Sequence, residues 1–120
     1  MMTNPPSAKD ELFTWLRHMN KYKGSDLFIT TNFPPAMKVD GKITPITDEP
    51  LTSEKCMEIA FSIMSSKQIE EFSSTNECNF AISLPDTSRF RVNAMVQRGA
   101  TALVFRSITS KIPNFDSLNL

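Results

Sequence analysis

A short stretch late in the sequence concentrates positive charge. Residues 88–106, SRFRVNAMVQRGATALVFR, contain Arg89, Arg91, Arg98 and Arg106 and no carboxylate. The planar guanidinium group donates paired hydrogen bonds to phosphate or carboxylate oxygens, so this cluster favours anion binding. The alternative is a solvated sheet face whose arginines pair with acidic residues from elsewhere, and exposed pairs of that kind add little stability. Composition alone leaves both interpretations open.

The element that carries these arginines is predicted to be a β-strand. Alternate side chains of a strand face opposite sides, which puts Arg89 and Arg91 on one face and Phe90 and Val92 on the other. Asn93 and Gln97 share the arginine face. Arg106 belongs to the next strand, and whether it joins that face depends on a register that the sequence does not fix.

The sequence around the arginines also indicates which class of anion could bind. Sheets that bind nucleic acid interleave aromatic side chains with the cations, whereas here Phe90 and Phe105 alternate away from the arginines, so we predict no nucleic-acid partner. The three glycines form no GxxxxGK[ST] loop that could cradle a nucleotide by itself. The chain is therefore predicted not to be an enzyme alone, and its arginines would serve a phosphate held by another domain or subunit.

Other chemistry has weaker signals. Cys56 and Cys78 form no CxxC pair and His18 cannot complete a metal site with them, so we expect no metal and two buried or free thiols in a reducing cytosol. His18 also lacks a partner for acid–base catalysis. The sequence has neither a signal-peptide core nor a run of about 20 apolar residues, which predicts a soluble cytoplasmic protein.

The surrounding elements alternate between helices and strands. A helix over about 8–22, with Ser7 as N-cap and its end at Gly24, precedes three strands in which Asp40-Gly41 forms a type I′ turn. A second helix begins near residues 51–54, and Ser65 with Gln68 caps a third. Strands 78–84, 88–97 and 100–108 complete an α+β fold, an antiparallel sheet of about six strands with helices packed on one face.

Several segments of the sequence also resemble those of a known protein family. GSDLFIT, PPAMKVDGKITPI, NECNFAIS and RFRVNAMVQRGATALVFRSI resemble the N-terminal domain of the type IV pilus retraction ATPases, the PilT/PilU family of the secretion-ATPase superfamily. The resemblance covers residues 10–120. It is closer to the PilU branch, since Phe28 stands where PilT-like sequences typically carry histidine.

The resemblance implies a PAS-like domain over residues 1–110, followed over 111–120 by a linker and the start of a RecA-like ATPase domain. The parent would be a cytoplasmic homohexamer at the inner membrane that uses ATP and Mg to power pilus retraction and twitching motility. Its partners would be RecA-like domains of the same and neighbouring subunits, a PilT-like ATPase and the inner-membrane platform of the pilus. The fragment itself would bind no cofactor.

The resemblance also implies a role for the arginines. In that family, arginines of the late strands approach nucleotide bound between domains and subunits, which by motif corresponds here to Arg91, Arg98 and Arg106, and less strongly to Arg89. The sequence departs from PilT-like patterns in lacking an asparagine between Gln97 and Arg98. The alternative function is a PAS-like small-ligand sensor, which would need an apolar cavity with convergent polar groups.

Overall fold

A computed structural model describes residues 7–86 and 88–108 as three helices and six strands. The elements in chain order are α1 (Ala8–Lys21), β1 (Asp26–Thr30), β2 (Ala36–Val39), β3 (Lys42–Pro45), α2 (Ser53–Ser62), α3 (Ser66–Thr75), β4 (Glu77–Ser83), β5 (Arg89–Gln97) and β6 (Ala100–Ile108). The predicted linker over 111–120 lies outside the described residues. The predicted α+β fold is confirmed.

The six strands form one antiparallel sheet in the order β3-β2-β1-β6-β5-β4. Two local meanders, β1 to β3 and β4 to β6, are joined through the pairing of β1 with β6. The register places Leu27 opposite Phe105 at this junction. The longest strands, β5 and β6, therefore lie inside the sheet, where their register is fixed on both sides.

The helices cover one face of the sheet, as predicted. Leu12, Leu16 and Met19 recur at helical spacing on α1 and are fully buried. They pack in one core with the inward residues of the sheet and of α2, which are Leu27, Ile29, Phe90, Val92, Ala94, Leu103, Phe105, Cys56, Ile59 and Ala60. The opposite face of the sheet has no helix from the described residues over it, and its side chains are exposed or half-buried, apart from the buried Asp26.

Local hydrogen bonds explain where the helices begin. The Ser7 and Thr52 hydroxyls accept from the third backbone N–H of α1 and α2. For α3, Ser65 Oγ accepts from Gln68 N at 3.2 Å and Ser65 N donates to Gln68 Oε1 at 2.9 Å. The predicted capping box is thus confirmed.

The first helix was predicted to end at Gly24, and this prediction was wrong about the role of the glycine. Helix α1 ends at Lys21, and the residue with left-handed φ after it is Lys23 at 57°, not the glycine. Gly24 is needed for space, because a Cβ there would lie 2.6 Å from Met19 Cγ and 3.2 Å from the Lys38 carbonyl oxygen. The close approach of α1 to β2 therefore selects glycine at this position.

Candidate anion site on the open sheet face

The open sheet face, by which we mean the face without helices, collects three of the four predicted arginines. On β5 the pattern alternates, with Arg89 and Arg91 exposed and Phe90 and Val92 buried. The register that the sequence left open pairs Arg91 with Arg106 on β6. Since directly paired residues of an antiparallel sheet point to the same side, Arg106 joins the arginine face.

Arg98 lies apart from the other three. With φ of 53°, it forms the two-residue β5–β6 turn together with Gly99, whose φ is 78°. It is seven residues from Arg91 along the hairpin, which corresponds to about 20 Å. The described geometry therefore brings together Arg89, Arg91 and Arg106, and leaves Arg98 exposed at the tip.

A pocket of about 300 Å³ opens beside the paired arginines. Its lining residues are Asn79, Arg91, Asn93, Val104 and Arg106. They come from two adjacent cross-strand rows on β4, β5 and β6, because Asn79 pairs with Asn93 and Asn93 with Val104. Two guanidinium groups and two carboxamides converging on one pocket can bind an oxyanion through several N–H donors.

The charge of this pocket is only partly balanced. Arg106 Nε lies 3.5 Å from Asp26 Oδ2, and the Arg106 side chain remains 71% exposed, so the pair is weak. In the described part of the chain, no carboxylate lies within ion-pair distance of Arg89 or Arg91. Like charges paired directly across two strands destabilise a sheet. A bound anion would relieve the repulsion between Arg91 and Arg106.

The carboxamide of Asn93 adds a second feature. Its Oδ1 is buried and accepts no hydrogen bond from any residue that the structure describes. A buried acceptor without a donor costs free energy, so a ligand that offers a hydroxyl or N–H beside its anionic group would be favoured here. The pocket thus suits an anion that also carries a donor.

Sequence reasoning missed Asn79, Val104 and Asp26. Alternation along NECNF predicts that the side chains of Asn79 and Phe80 lie on different faces of the sheet. Only the register shows that Asn79 is paired with Asn93. Asp26 is buried within the SDLFIT strand, and its position beside Arg106 depends on the long-range β1–β6 pairing. No local pattern predicts that pairing.

Other reactive groups are placed away from this pocket. Cys56 and Cys78 are free and buried, as predicted, and burial raises the pKa of both thiols. His18 lies on α1 with its ring 4.8 Å from that of Tyr22. No cluster of three metal-ligating side chains occurs among residues 7–86 and 88–108, and no helix there could span a membrane.

Comparisons with known proteins identify relatives of the chain. The chain is 44% identical over 105 residues to the type IV pilus ATPase PilU of Pseudomonas aeruginosa, covering 88% of this chain and 28% of that protein. It is 34% identical over 100 residues to the type IV pilus retraction ATPase PilT of the same organism, covering 83% and 29%. No family model matches the chain.

Solved structures give the same result for the fold. The pilus retraction motor PilT with bound ADP superposes with a TM-score of 0.80 and 29% identity, over 91% of this chain and 32% of that one. The chain is an N-terminal domain of the PilT/PilU family. The Legionella pneumophila ATPase DotB shares the fold, with a TM-score of 0.77 at 22% identity, over 100% of this chain and 35% of that one.

Two further points follow for this PilT/PilU-family domain. The higher identity to PilU than to PilT agrees with the predicted PilU branch. The chain spans less than a third of the length of these relatives, so most of each relative has no counterpart in it.

Proposed function

We propose that this chain is the N-terminal domain of a type IV pilus retraction ATPase, and that its open sheet face supplies positive charge to a nucleotide bound by the rest of the parent protein. The observation that carries the proposal is the pairing of Arg91 with Arg106 beside a polar pocket. The relatives are named as pilus ATPases, which supports a nucleotide phosphate as the anion.

In the proposed parent, a RecA-like ATPase domain follows the linker over 111–120 and binds ATP with Mg. The described residues contain no carboxylate cluster for a metal ion, so the magnesium ligands would come from that RecA-like domain. Six subunits would form a cytoplasmic ring at the pilus platform, beside a PilT-like ATPase, and drive twitching motility. The sheet would face a RecA-like domain of the same or a neighbouring subunit.

The role of each arginine differs in this proposal. Arg91 and Arg106 would contact phosphate oxygens, because both line the pocket, and Arg89 would add charge at its margin. Arg98, about 20 Å along the hairpin, is too far to reach the same phosphate group. It would contact a different part of the nucleotide or of the interface between domains.

A small-ligand sensor is less well supported. Ligands of such modules would have to occupy space between sheet and helices, and that space is filled by fully buried side chains such as Phe90, Phe105 and Leu16. The pocket described above lies on the other side of the sheet, and four of its five lining residues have polar side chains.

ATP turnover of the complete parent protein tests the proposal. Arg91→Ala should lower turnover about tenfold or more, because it removes preorganised charge from the phosphate. Arg17→Ala is the matched control, since Arg17 is also exposed but lies on α1, and it should leave turnover unchanged. Wild-type turnover in Arg91→Ala, with the domain folded by circular dichroism, would contradict the proposed role.

A further inference from the structure

The two edges of the sheet are built differently. The β3 edge is only four residues long, and it contains Lys42 and Pro45, both of which hinder pairing with another strand. The β4 edge is seven residues long and has neither lysine nor proline; its one charged residue is Glu77 at the start. Short length, lysine and proline therefore protect the β3 edge, and none of these three features is present on β4.

The backbone of β4 presents free hydrogen-bonding groups. Leu84 N donates to Ser88 O, and Val96 N donates to Asn76 O. Because hydrogen-bonded and non-hydrogen-bonded pairs alternate along an antiparallel ladder, the even-numbered residues of β4 are those whose backbone groups bond to β5. The N–H and C=O groups of Asn79, Ala81 and Ser83 must then point outward. Within the described residues, these backbone groups have no hydrogen-bond partner.

An apolar hollow opens beside this edge on the helix side. It has a volume of about 220 Å³ and is lined by Lys9, Phe13, Ile63, Ile82 and Ser83. Phe13, Ile63 and Ile82 are half-buried at the margin of the core. A strand lying against β4 could place one apolar side chain in this hollow.

The charges around the edge restrict what that strand can be. On the open face, Arg91 is paired with Ala81 and Arg89 with Ser83, so both cations lie one strand away from the edge. Lys9 lies at the hollow on the other face. A second copy of this chain, paired antiparallel through β4, would add a second set of these arginines to the same face and would offer Glu77 as the one acid on its β4 strand. A more acidic segment complements the charge of this face better.

We propose that the β4 edge binds an extended segment of another protein that alternates acidic and apolar residues. The segment would add a seventh strand through the backbone groups of Asn79, Ala81 and Ser83, as in strand-addition complexes. Its acidic side chains would face Arg89 and Arg91, and an apolar side chain would enter the hollow. This site shares the Arg91 side chain with the pocket of Arg91 and Arg106, but its backbone contacts on β4 lie outside that pocket.

A labelled peptide, Glu-Val-Glu-Leu-Glu-Thr, tests the site by fluorescence anisotropy with the 120-residue chain. Saturable binding is expected, about tenfold tighter than that of the composition-matched peptide Glu-Glu-Val-Leu-Glu-Thr, in which the alternation is broken. Amide hydrogen exchange should slow at Asn79, Ala81 and Ser83 when the alternating peptide is bound. Absence of binding at millimolar peptide, or equal binding of the two peptides, would overturn the proposal.

Proline substitutions show which of the two sheet edges binds the peptide. Ala81→Pro removes an outward N–H while keeping the bonds to β5, and it should weaken binding about tenfold. Ile43→Pro is the matched control, because Ile43 is the outward position on the β3 edge, and it should bind like wild type. Equal affinity of Ala81→Pro and wild type would overturn the proposal.

A second variant and a measurement of self-association complete the test of the β4 edge. If Ala81→Pro does not fold, Arg89→Ala replaces it, because Arg89 is exposed and its removal should weaken binding several-fold through lost charge. Unchanged peptide affinity in Arg89→Ala would overturn the proposal that the partner segment is acidic. Self-association of the chain that is abolished by Ala81→Pro would show that a second copy occupies the edge instead.

Discussion

At the scale of single residues, Arg91 and Arg106 face each other across β5 and β6, and among the described residues only Asp26 lies within ion-pair distance of either. Asp26 is 9% exposed and lies 3.5 Å from Arg106 Nε, on one side of the guanidinium. The arrangement keeps positive charge available in place of neutralising it.

The buried thiols make a prediction for pH. Burial raises the pKa of Cys56 and Cys78, so the folded chain retains their protons at a pH at which the unfolded chain loses them. Their contribution to stability is present below the unfolded thiol pKa of about 8.5 and is lost as the pH rises further. The free energy of unfolding should fall between pH 8 and pH 10 by at most about 1.4 kcal/mol per pH unit for each thiol.

Urea denaturation at several pH values measures this slope. The Cys56→Ala/Cys78→Ala double variant should show a shallower fall, although cavities lower its stability at every pH. The same slope in both proteins would show that other groups cause the alkaline loss.

At the scale of elements, two glycines occupy positions with different demands. Gly41 has a φ of 80° and open space around it, whereas Gly24 lacks room for a Cβ. Asparagine tolerates left-handed backbone, so Gly41→Asn should cost less than about 0.5 kcal/mol. Gly24→Ala should cost about 1–3 kcal/mol, because Met19 must move and the helix is pressed against β2. Chemical denaturation of the three proteins measures both values, and a tolerated Gly24→Ala would contradict the packing explanation.

Much of each element could be predicted from local sequence, and the order of the strands could not. The Ser65–Gln68 capping box and the Asp40-Gly41 turn depend on residues a few positions apart, and both were confirmed. The candidate site was predicted in part, because alternation alone orients Arg89 and Arg91. Its completion by Arg106, Asn79 and Asp26 needs the register of four strands, which is set by packing between distant segments.

At the scale of the whole molecule, charge is balanced in number and separated in space. Thirteen basic and thirteen acidic residues give no net charge, yet the open sheet face carries three arginines. Any anion effect must therefore come from the local arrangement and not from overall attraction.

Thermal unfolding with sodium pyrophosphate tests this separation. Pyrophosphate should raise the melting temperature of the 120-residue chain by about 2–5 °C, because a ligand that binds only the folded state stabilises it. Arg91→Ala should lose the shift and Arg98→Ala should keep it, since Arg98 lies at the hairpin tip. An equal shift from sodium chloride at the same ionic strength would contradict a local site.

The junction of the two meanders has a consequence for how the chain folds. Residues 26 and 106 are paired in the middle of the sheet, so the two halves are joined by contacts between segments far apart in sequence. Each meander can form from neighbouring strands, but their union must wait for the closure of a long loop, which slows folding. During synthesis on a ribosome, β1 would remain without its inner neighbour until β6 has emerged. The apolar surface of the early half would then be exposed during translation, and that interval is when a chaperone would act on this domain.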